Sequence, residues 1–282
     1  IFIDANLEDG NIDINKLENI NLDKVRGITY VHFNGIPSDV EFLSSFCDDS
    51  QIYSVEDCAI CLGASVNSTP VGLWGDIGAF SFHPVKQLTT GEGGMVVSKY
   101  GSNIERINRI KAFGVDQGFN ERKVPGVYNV DSIGTNNRMA ELPAAVGCSQ
   151  LNSIENDLSI RQHNFCALKQ LINDKQLPLK ILGDHVFEGR SYYNMIVILD
   201  EKINKDRNDL LLDLKNRGLE CSVYYPHPIP RLKYYNNKYG YDEKSFKNSE
   251  IISDKSITLP IGPHLTDNDL DKIVNLLSET LQ

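Results

Sequence analysis

Residues 55–99 read VEDCAICLGASVNSTPVGLWGDIGAFSFHPVKQLTTGEGGMVVSK, and they include two places where an apolar run gives way to polar side chains. Asp57 follows the first apolar run, whereas Ser81 and Lys86 lie at and just beyond the end of the run Ile77–Phe82. In an open parallel sheet, ligands bind beside the carboxyl ends of the strands. We therefore expect a carboxylate, a hydroxyl group and an amine to lie along one rim of a sheet.

The sequence on both sides of this segment alternates short apolar runs with helical patterns. In the first helical pattern apolar residues recur three positions apart, and Ser38 is the predicted N-cap. The predicted strands are Val25–Phe33, Ile52–Val55, Ile77–Phe82 and Gly94–Val97, and the predicted helices are Ser38–Asp48 and Asn103–Phe113. Strands that alternate with helices indicate βαβ units, so we predict an α/β fold with a mostly parallel sheet.

The second half of the chain has a different pattern, with longer helices and separated strands. Met139–Ile172 is predicted to form one long helix or a broken pair. Further predicted elements are the strands Tyr192–Leu199 and Glu220–Tyr225, the helix Asp206–Arg217 closed by Gly218, the helix Asp267–Leu281 with Thr266 as N-cap, and an ordered loop Tyr224–Tyr241 over a pocket. We therefore predict a large domain at residues 1–155 and a smaller α+β domain at residues 156–282.

Composition and charge disfavour several classes of protein. The 282 residues are 41% hydrophobic and 23% charged, which is typical of a globular protein, and the formal net charge is −10. An acidic surface disfavours general nucleic-acid binding, which needs a basic face. No apolar run is long enough for a transmembrane helix, and the first residues do not form a signal-peptide pattern. We therefore expect no nucleic-acid or membrane partner.

The six cysteines are dispersed, so they do not predict a disulfide framework and instead favour the reducing cytosol. Cys58 and Cys61 form a C-x-x-C motif, which in other sequences binds zinc or carries redox chemistry. The sequence offers neither a second ligand pair nor a thioredoxin-like context. The favoured interpretation is therefore two small buried side chains beside the end of a strand.

A lysine at the rim of such a sheet has a specific chemical use. Its amine can form a Schiff base with an aldehyde cofactor when it loses its proton. Pyridoxal 5'-phosphate is such a cofactor, and a buried carboxylate beside its ring nitrogen keeps that nitrogen protonated. Lys86 and Asp57 are a suitable pair, and Ser81 could donate to the phosphate. The residue types alone leave open a solvated Lys86 and an Asp57 that only caps a helix.

Three motifs resemble those of a known family: VEDCA at 55–59, GDIGAFSFHPVKQLTTGEGGMVV at 75–97 and GTNNRMAEL at 134–142. They closely resemble the DegT/DnrJ/EryC1/StrS family of nucleotide-sugar aminotransferases, and Tyr30–Pro37 and Val223–Pro226 resemble further motifs of that family. The resemblance implies an aspartate-aminotransferase-type fold, which is fold type I of the pyridoxal-phosphate enzymes. It also implies a homodimer whose active sites are shared across the interface.

The resemblance assigns roles to matching positions of this sequence. Lys86 would bind the cofactor aldehyde and act as general acid and base, and Asp57 would be the partner of the pyridinium nitrogen. Ser81 would bind the cofactor phosphate, and Asn136 would reach the phosphate site of the other subunit. Arg138 would either support the shared site or form an ion pair at the interface.

Three departures from the family pattern are visible. Ile60 stands at a cofactor-binding position where the family usually has Gln or His, and its side chain cannot hydrogen-bond to the phenolic oxygen of the cofactor. Gln87 follows Lys86 where Asn is usual. The chain begins in mid-strand at Ile1 and lacks the N-terminal segment of the family, so we expect it to be part of a longer protein.

The resemblance also implies a reaction, which is the transfer of an amino group from L-glutamate to a nucleotide-linked keto-deoxy sugar in surface glycan synthesis. Residues Tyr224–Arg231 are expected among the substrate contacts. Two alternatives stay open: a binding or regulatory protein without turnover, and a pyridoxal-phosphate-dependent sugar dehydratase on the same scaffold. Relatives that dehydrate carry His in place of the lysine, so Lys86 favours transamination.

Overall fold

The first half of the chain folds around a four-stranded sheet. A computed structural model describes residues 1–116, 118, 121–186 and 188–281, without the side chain of Glu243. In chain order, the elements are β1 (Gly27–Val31), α1 (Val40–Ser50), β2 (Tyr53–Asp57), β3 (Ser65–Val66), β4 (Thr69–Pro70), β5 (Ile77–Ser81), β6 (Gly94–Val97) and α2 (Gly101–Ile110). The sheet has the order β1–β2–β5–β6, and β3 and β4 form a separate two-stranded sheet. Strands β1 and β5 pair parallel with β2, and β6 pairs antiparallel with β5, so the predicted mostly parallel α/β sheet is confirmed.

The start of α1 shows how a single hydrogen bond selects a helix cap. Asp39 Oδ1 accepts a hydrogen bond from Phe42 N–H (3.1 Å) and caps the helix. Ser38, the predicted N-cap, instead donates from Oγ to Val31 O (2.8 Å), which ties the helix to the end of β1. The prediction was wrong by one position because Ser and Asp are both good caps, and the direction of the preceding backbone decides between them.

The second half of the chain packs helices against a three-stranded antiparallel sheet. Its elements are α3 (Glu141–Leu151), α4 (Ile154–Asp174), β7 (Leu179–Ile181), β8 (Met195–Leu199), α5 (Arg207–Asn216), α6 (Lys233–Tyr239), α7 (Lys247–Lys255), β9 (Ser256–Leu259) and α8 (Asp267–Thr280). Short 3-10 helices lie at Ile14–Asn19, Phe33–Gly35, Ile229–Arg231 and Glu243–Ser245. Strand β8 lies between β7 and β9 and pairs antiparallel with both. The predicted broken pair of helices is confirmed as α3 and α4. The predicted boundary between the two domains, at residues 155/156, falls in the first turn of α4 and stays a prediction.

Helix α4 supplies much of the core of this half. Its buried side chains Phe165, Leu168 and Ile172 recur at intervals of three and four residues, which places them on one face of the helix. That face packs in one cluster with Met195 of β8 and Leu277 of α8. Among the described helices, none has both the length and the apolar composition that crossing a membrane requires.

Two predicted helix ends in this half are confirmed. Thr266 and Asp269 form a capping box at the start of α8, in which each side chain bonds the backbone of the other residue. Gly218 follows the cap residue of α5 with a φ of 88°, a left-handed value that favours glycine. Both signals depend on neighbouring residues alone, which is why the sequence was enough to place them.

The prediction of a strand at Glu220–Tyr225 was wrong. Only Ser222 pairs there, in an isolated antiparallel bridge with Thr258. The second neighbour of β8 is instead β9, whose short sequence SITL follows α7 directly and has too few residues to show a clear period. The predicted loop Tyr224–Tyr241 is also corrected, because it contains helix α6.

Candidate active site

The carboxyl ends of β1, β2 and β5 lie at the same edge of the first sheet. Asp57 is the last residue of β2 and pairs in register with Val31 of β1 and Ala79 of β5. Ser81 is the last residue of β5. His32 follows β1, and its backbone N–H donates to Asp57 O (3.1 Å). Parallel pairing therefore places Asp57 and Ser81 on one rim of the sheet.

Lys86 lies in the loop between β5 and β6 and is half-buried. The loop turns at this residue, where Lys86 N–H donates to His83 O (3.0 Å). The Lys86 ammonium group lies 5.6 Å from the centre of the Tyr193 ring. Burial lowers the pKa of Lys86, and the negative charge of Asp57 acts in the opposite direction. Lys86 is therefore within electrostatic range of Asp57, and its amine loses a proton more easily than that of a solvated lysine.

Two long-range hydrogen bonds hold the Lys86 loop against the second half of the chain. Tyr193 OH donates to Val85 O (3.0 Å), and Gln87 Nε2 donates to Ser191 O (3.0 Å). Sequence reasoning identified neither Tyr193 nor Ser191 as a site residue. Their only signal was a position at the start of an apolar run, which does not reveal a partner more than a hundred residues away.

Ile60 lies in the turn after β2 and is almost fully buried. Its backbone carbonyl accepts a hydrogen bond from Ser191 Oγ (3.1 Å). In the same turn, Ala59 N–H donates to Asp57 Oδ1 (3.0 Å) and so orients the Asp57 carboxylate. The aliphatic side chain of Ile60 has no hydrogen-bond donor, so in this turn Ile60 contributes through its backbone.

Glu56 precedes Asp57 on β2 but points into the core, because successive side chains of a strand alternate between its faces. It is fully buried, and its carboxylate is bonded to four groups. These are Trp74 N–H (2.9 Å) and Gly75 N–H (2.6 Å) at Oε1, and Gly72 N–H (2.7 Å) and His32 Nε2 (2.9 Å) at Oε2. Burial would raise the pKa of Glu56, but the hydrogen bonds outweigh burial and lower it. The charged carboxylate thus fixes the end of β2 to the segment that leads into β5, a role that sequence reasoning missed.

A large groove lies beside the carboxyl end of β2. It has a volume of about 1320 Å³, and its lining is formed by the first residues of the chain, by β1 and by residues 224–230. Asp57 lines this groove, whereas Lys86 and Ser81 do not. The predicted substrate-contact segment Tyr224–Arg231 therefore lines the groove through all but its last residue.

The residues predicted to act across a subunit interface lie on a separate, exposed part of the chain. Asn136 is exposed and pairs with Ala112 in an isolated antiparallel bridge. The guanidinium group of Arg138 lies 4.9 Å from the centre of the Phe113 ring. Neither Asn136 nor Arg138 belongs to the lining of the described groove. Their roles toward a second subunit stay predictions.

Comparison with known proteins agrees with this geometry. The sequence model of the DegT/DnrJ/EryC1/StrS aminotransferase family matches residues 1–278. A GDP-perosamine synthase from Vibrio cholerae is 30% identical over 279 residues, which are 98% of this chain and 70% of that protein. The spore coat polysaccharide biosynthesis protein SpsC from Bacillus subtilis is 27% identical, over 100% of this chain and 73% of that protein.

The likeness extends to solved structures. PseC from Helicobacter pylori, an aminotransferase involved in the biosynthesis of pseudoaminic acid, superposes with a TM-score of 0.91 at 24% sequence identity. The match covers 100% of this chain and 73% of PseC, and it confirms the predicted fold. Since the family's sequence model matches almost the whole chain, this chain belongs to the DegT/DnrJ/EryC1/StrS aminotransferase family.

Proposed function

We propose that this chain is a pyridoxal-phosphate-dependent aminotransferase that moves an amino group from L-glutamate to a nucleotide-linked keto-deoxy sugar, in the synthesis of a surface glycan. The proposal depends above all on half-buried Lys86, whose pKa burial lowers and which interacts electrostatically with Asp57. Nucleotide-sugar chemistry is supported by relatives named GDP-perosamine synthase and dTDP-4-amino-4,6-dideoxy-D-glucose transaminase.

The residues at this edge of the sheet fit pyridoxal phosphate. Lys86 supplies a partly desolvated amine, and Asp57 supplies a half-buried carboxylate that lines the groove. Ser81 supplies a half-buried hydroxyl group for the phosphate, and its Oγ accepts a weak hydrogen bond from His83 N–H (3.4 Å). When bound, the cofactor would supply an aldehyde that takes up the amino group and an electron-withdrawing ring.

The proposed mechanism assigns one proton to each of two side chains. Lys86 Nζ accepts the proton that the substrate carbon loses and returns it later, which requires an amine that is partly unprotonated near neutral pH. Burial lowers the pKa of Lys86, which is the direction that this requirement needs. The Asp57 carboxylate keeps a proton at the ring nitrogen of the cofactor, because a nearby negative charge favours the protonated form. The Tyr193 ring and its hydrogen bond to Val85 O hold the Lys86 loop in place between the two transfers.

The proposal includes a homodimer whose active sites are shared. Large apolar side chains are exposed along residues 124–142, among them Val127 (63%), Ile133 (97%) and Leu142 (82%). Several large apolar side chains exposed on one segment are a common feature of protein interfaces. Asn136 belongs to the same segment, so a second subunit that covers this surface would meet it.

The proposed compartment is the reducing cytoplasm. All six cysteines are free, which is typical of proteins that work where thiols are kept reduced.

The test is the absorbance spectrum of the purified protein with pyridoxal phosphate, recorded before and after L-glutamate is added. We expect a yellow absorbance band in the wild type, which glutamate bleaches, and no such band in Lys86→Ala. The matched control is Lys215→Ala, which removes an exposed lysine on α5 and should leave the spectrum unchanged. A wild-type protein that develops no band, or a Lys86→Ala protein that develops the same band, would refute the assignment.

One observation favours an alternative, which is a homologue that binds the cofactor without turnover. The side chain of Ile60 offers no hydrogen bond to the cofactor, and its backbone carbonyl is already bonded to Ser191. Such a protein would form the yellow band but release no 2-oxoglutarate. A dehydratase would be recognised by the mass of its product, because dehydration removes oxygen without adding nitrogen.

A further inference from the structure

Two buried cysteine thiols lie in the turn that follows Asp57 at the end of β2. Cys58 and Cys61 follow β2 and are 1% and 0% exposed. Their sulfur atoms and a ring nitrogen of His32 all lie within 4.8 Å of one another. The proposed aminotransferase reaction uses none of these three groups, so their proximity requires a separate explanation.

The backbone between the two cysteines has the shape that a disulfide requires. Cys61 N–H donates to Cys58 O (3.1 Å), which closes a turn of four residues. The Cα atoms at the ends of such a turn are less than about 7 Å apart. A disulfide needs a Cα separation of about 4.4–6.8 Å. The turn therefore holds the two cysteines at about the backbone separation that a disulfide spans, with their sulfur atoms already within 4.8 Å of each other.

The two thiols differ in acidity, as expected of a nucleophile and its resolving partner. A hydrogen bond from the Cys61 thiol lowers the pKa of Cys58, and His32 adds to this effect. Burial and the neighbouring Cys58 raise the pKa of Cys61. Because the thiolate is the reactive form of cysteine, Cys58 is the residue that would attack an oxidant first.

The same three side chains are less suited to holding a metal ion. His32 Nδ1 accepts a hydrogen bond from Ser38 N–H (3.0 Å), so its lone pair is already used. The other ring nitrogen, Nε2, lies 2.9 Å from the charged carboxylate of Glu56. A metal ion would have to displace one of these buried hydrogen bonds and would gain only three protein ligands, one fewer than a closed structural zinc site has.

We propose that Cys58 and Cys61 are a reversible redox pair that forms an intramolecular disulfide when the protein meets a small peroxide. The Cys58 thiolate attacks one oxygen of hydrogen peroxide and becomes a sulfenic acid, while the other oxygen leaves as hydroxide. Cys61 then attacks the Cys58 sulfur and expels the sulfenic hydroxyl group as water. The Cys61 thiol proton leaves in that water, and the proton that Cys58 released on becoming a thiolate neutralises the first hydroxide. Two thiols and one peroxide therefore give one disulfide and two waters.

The position of the turn connects this chemistry to the active-site rim. Ala59, inside the C-x-x-C turn, orients the Asp57 carboxylate through a 3.0 Å hydrogen bond. Ile60, the other residue inside the turn, is bonded to Ser191. The disulfide would therefore close across the turn that orients Asp57, and its formation depends on neither Lys86 nor a bound cofactor.

The test is peptide mapping of the whole protein after mild treatment with hydrogen peroxide, followed by alkylation in denaturant. Trypsin releases Gly27–Lys86 as one peptide that carries Cys47, Cys58 and Cys61. We expect peroxide to protect two of these three thiols from alkylation and to make the peptide lighter by two hydrogen atoms. Treatment with dithiothreitol should restore full alkylation.

Single substitutions assign the bond. Cys58→Ala and Cys61→Ala should each abolish the protected pair, whereas Cys47→Ala and the exposed Cys148→Ala should retain it. The wild-type map is informative even where a variant fails to fold. Full alkylation after peroxide, a bond to Cys47, or irreversible oxidation of Cys58 with Cys61 still free would overturn the proposal. Protection from alkylation without peroxide, released by a chelator, would also overturn it, since it would indicate a metal site.

Discussion

Replacing Glu56 with Gln removes the charge of the buried carboxylate and changes almost nothing in its shape. In the wild type, each carboxylate oxygen has two partners: two backbone N–H groups at Oε1, and one backbone N–H group and His32 Nε2 at Oε2. A glutamine amide has one oxygen, which accepts hydrogen bonds, and one NH2 group, which donates them. In either orientation the NH2 group faces two groups that donated to a carboxylate oxygen in the wild type, so those two hydrogen bonds cannot form.

The expected cost follows from this count. Two hydrogen bonds to a charged acceptor are lost, at about 1.5–3 kcal/mol each, so Glu56→Gln should lower the free energy of unfolding by about 3–6 kcal/mol. Because a typical domain is stable by only about 5–15 kcal/mol, the variant should unfold at a much lower urea concentration. Far-UV circular dichroism is the suitable assay, since the fluorescence of Trp74 would respond to the loss of its own hydrogen bond to Glu56.

The effect should also depend on pH. Hydrogen bonds hold the pKa of Glu56 below its ordinary value of 4.5, so the charged carboxylate stabilises the fold fully above that value. This stabilisation is lost as the pH falls through the lower pKa of the folded state. The difference between wild type and Glu56→Gln should therefore be full at neutral pH and shrink in acid.

The control is Glu105→Gln on the exposed surface of α2, which should change the free energy of unfolding by no more than about 0.5 kcal/mol. The reasoning is refuted if Glu56→Gln costs less than about 1 kcal/mol at neutral pH, the net value of a single ordinary hydrogen bond. It is also refuted if the cost does not change between neutral and acid pH.

Three further predictions concern the site and the core. Asp57→Asn should lower the pKa of Lys86 further, because the negative charge of Asp57 raises that pKa in the wild type. The pKa can be followed by NMR titration after isotopic methylation of the lysine, and an unchanged or higher pKa in the variant would contradict the prediction. Tyr193→Phe keeps the aromatic ring beside Lys86 but removes the hydrogen bond from the Tyr193 hydroxyl group to a backbone carbonyl. The free energy of unfolding in urea should fall by about 0.5–1.5 kcal/mol, and a change outside that range would count against the bond. Leu168→Ala, in the core at 0% exposure, should lower the free energy of unfolding by about 2–5 kcal/mol, whereas Leu212→Ala, at 58% exposure, should hardly change it. Similar urea midpoints for the two variants would disprove the assigned packing.

The strands that carry the candidate site could be predicted because continuous sequence defines them. Strand β6 has the predicted bounds at both ends, and β5 begins at the predicted Ile77. Each is a short apolar run bounded by residues that end strands, and each lies inside the longest motif. The family motifs predicted Lys86 and Asp57 as site residues in the same region, and their roles stay predictions.

The parts that sequence reasoning missed depend on the fold as a whole. Glu56 and Asp57 are adjacent acidic residues that look equivalent in the sequence, and only the side of the sheet that is covered decides which one enters the core. Tyr193 and Ser191 gain their importance from partners more than a hundred positions away. Strand β9 was missed for a similar reason, because a four-residue strand is specified by its neighbour β8 and hardly by its own period.

The hydrogen bonds that hold the Lys86 loop have a consequence for the order in which the chain folds. They join residues 104 and 108 positions apart, and the bond between Ile60 and Ser191 spans 131 positions. Contacts of such long sequence separation form late, because a large loop must close before they contribute. During synthesis the first sheet can form while the ribosome is still producing the second half, since the chain emerges from its N-terminal end. Lys86 therefore stays more exposed until the second half of the chain has emerged and docked, and the burial that lowers its pKa is complete only then.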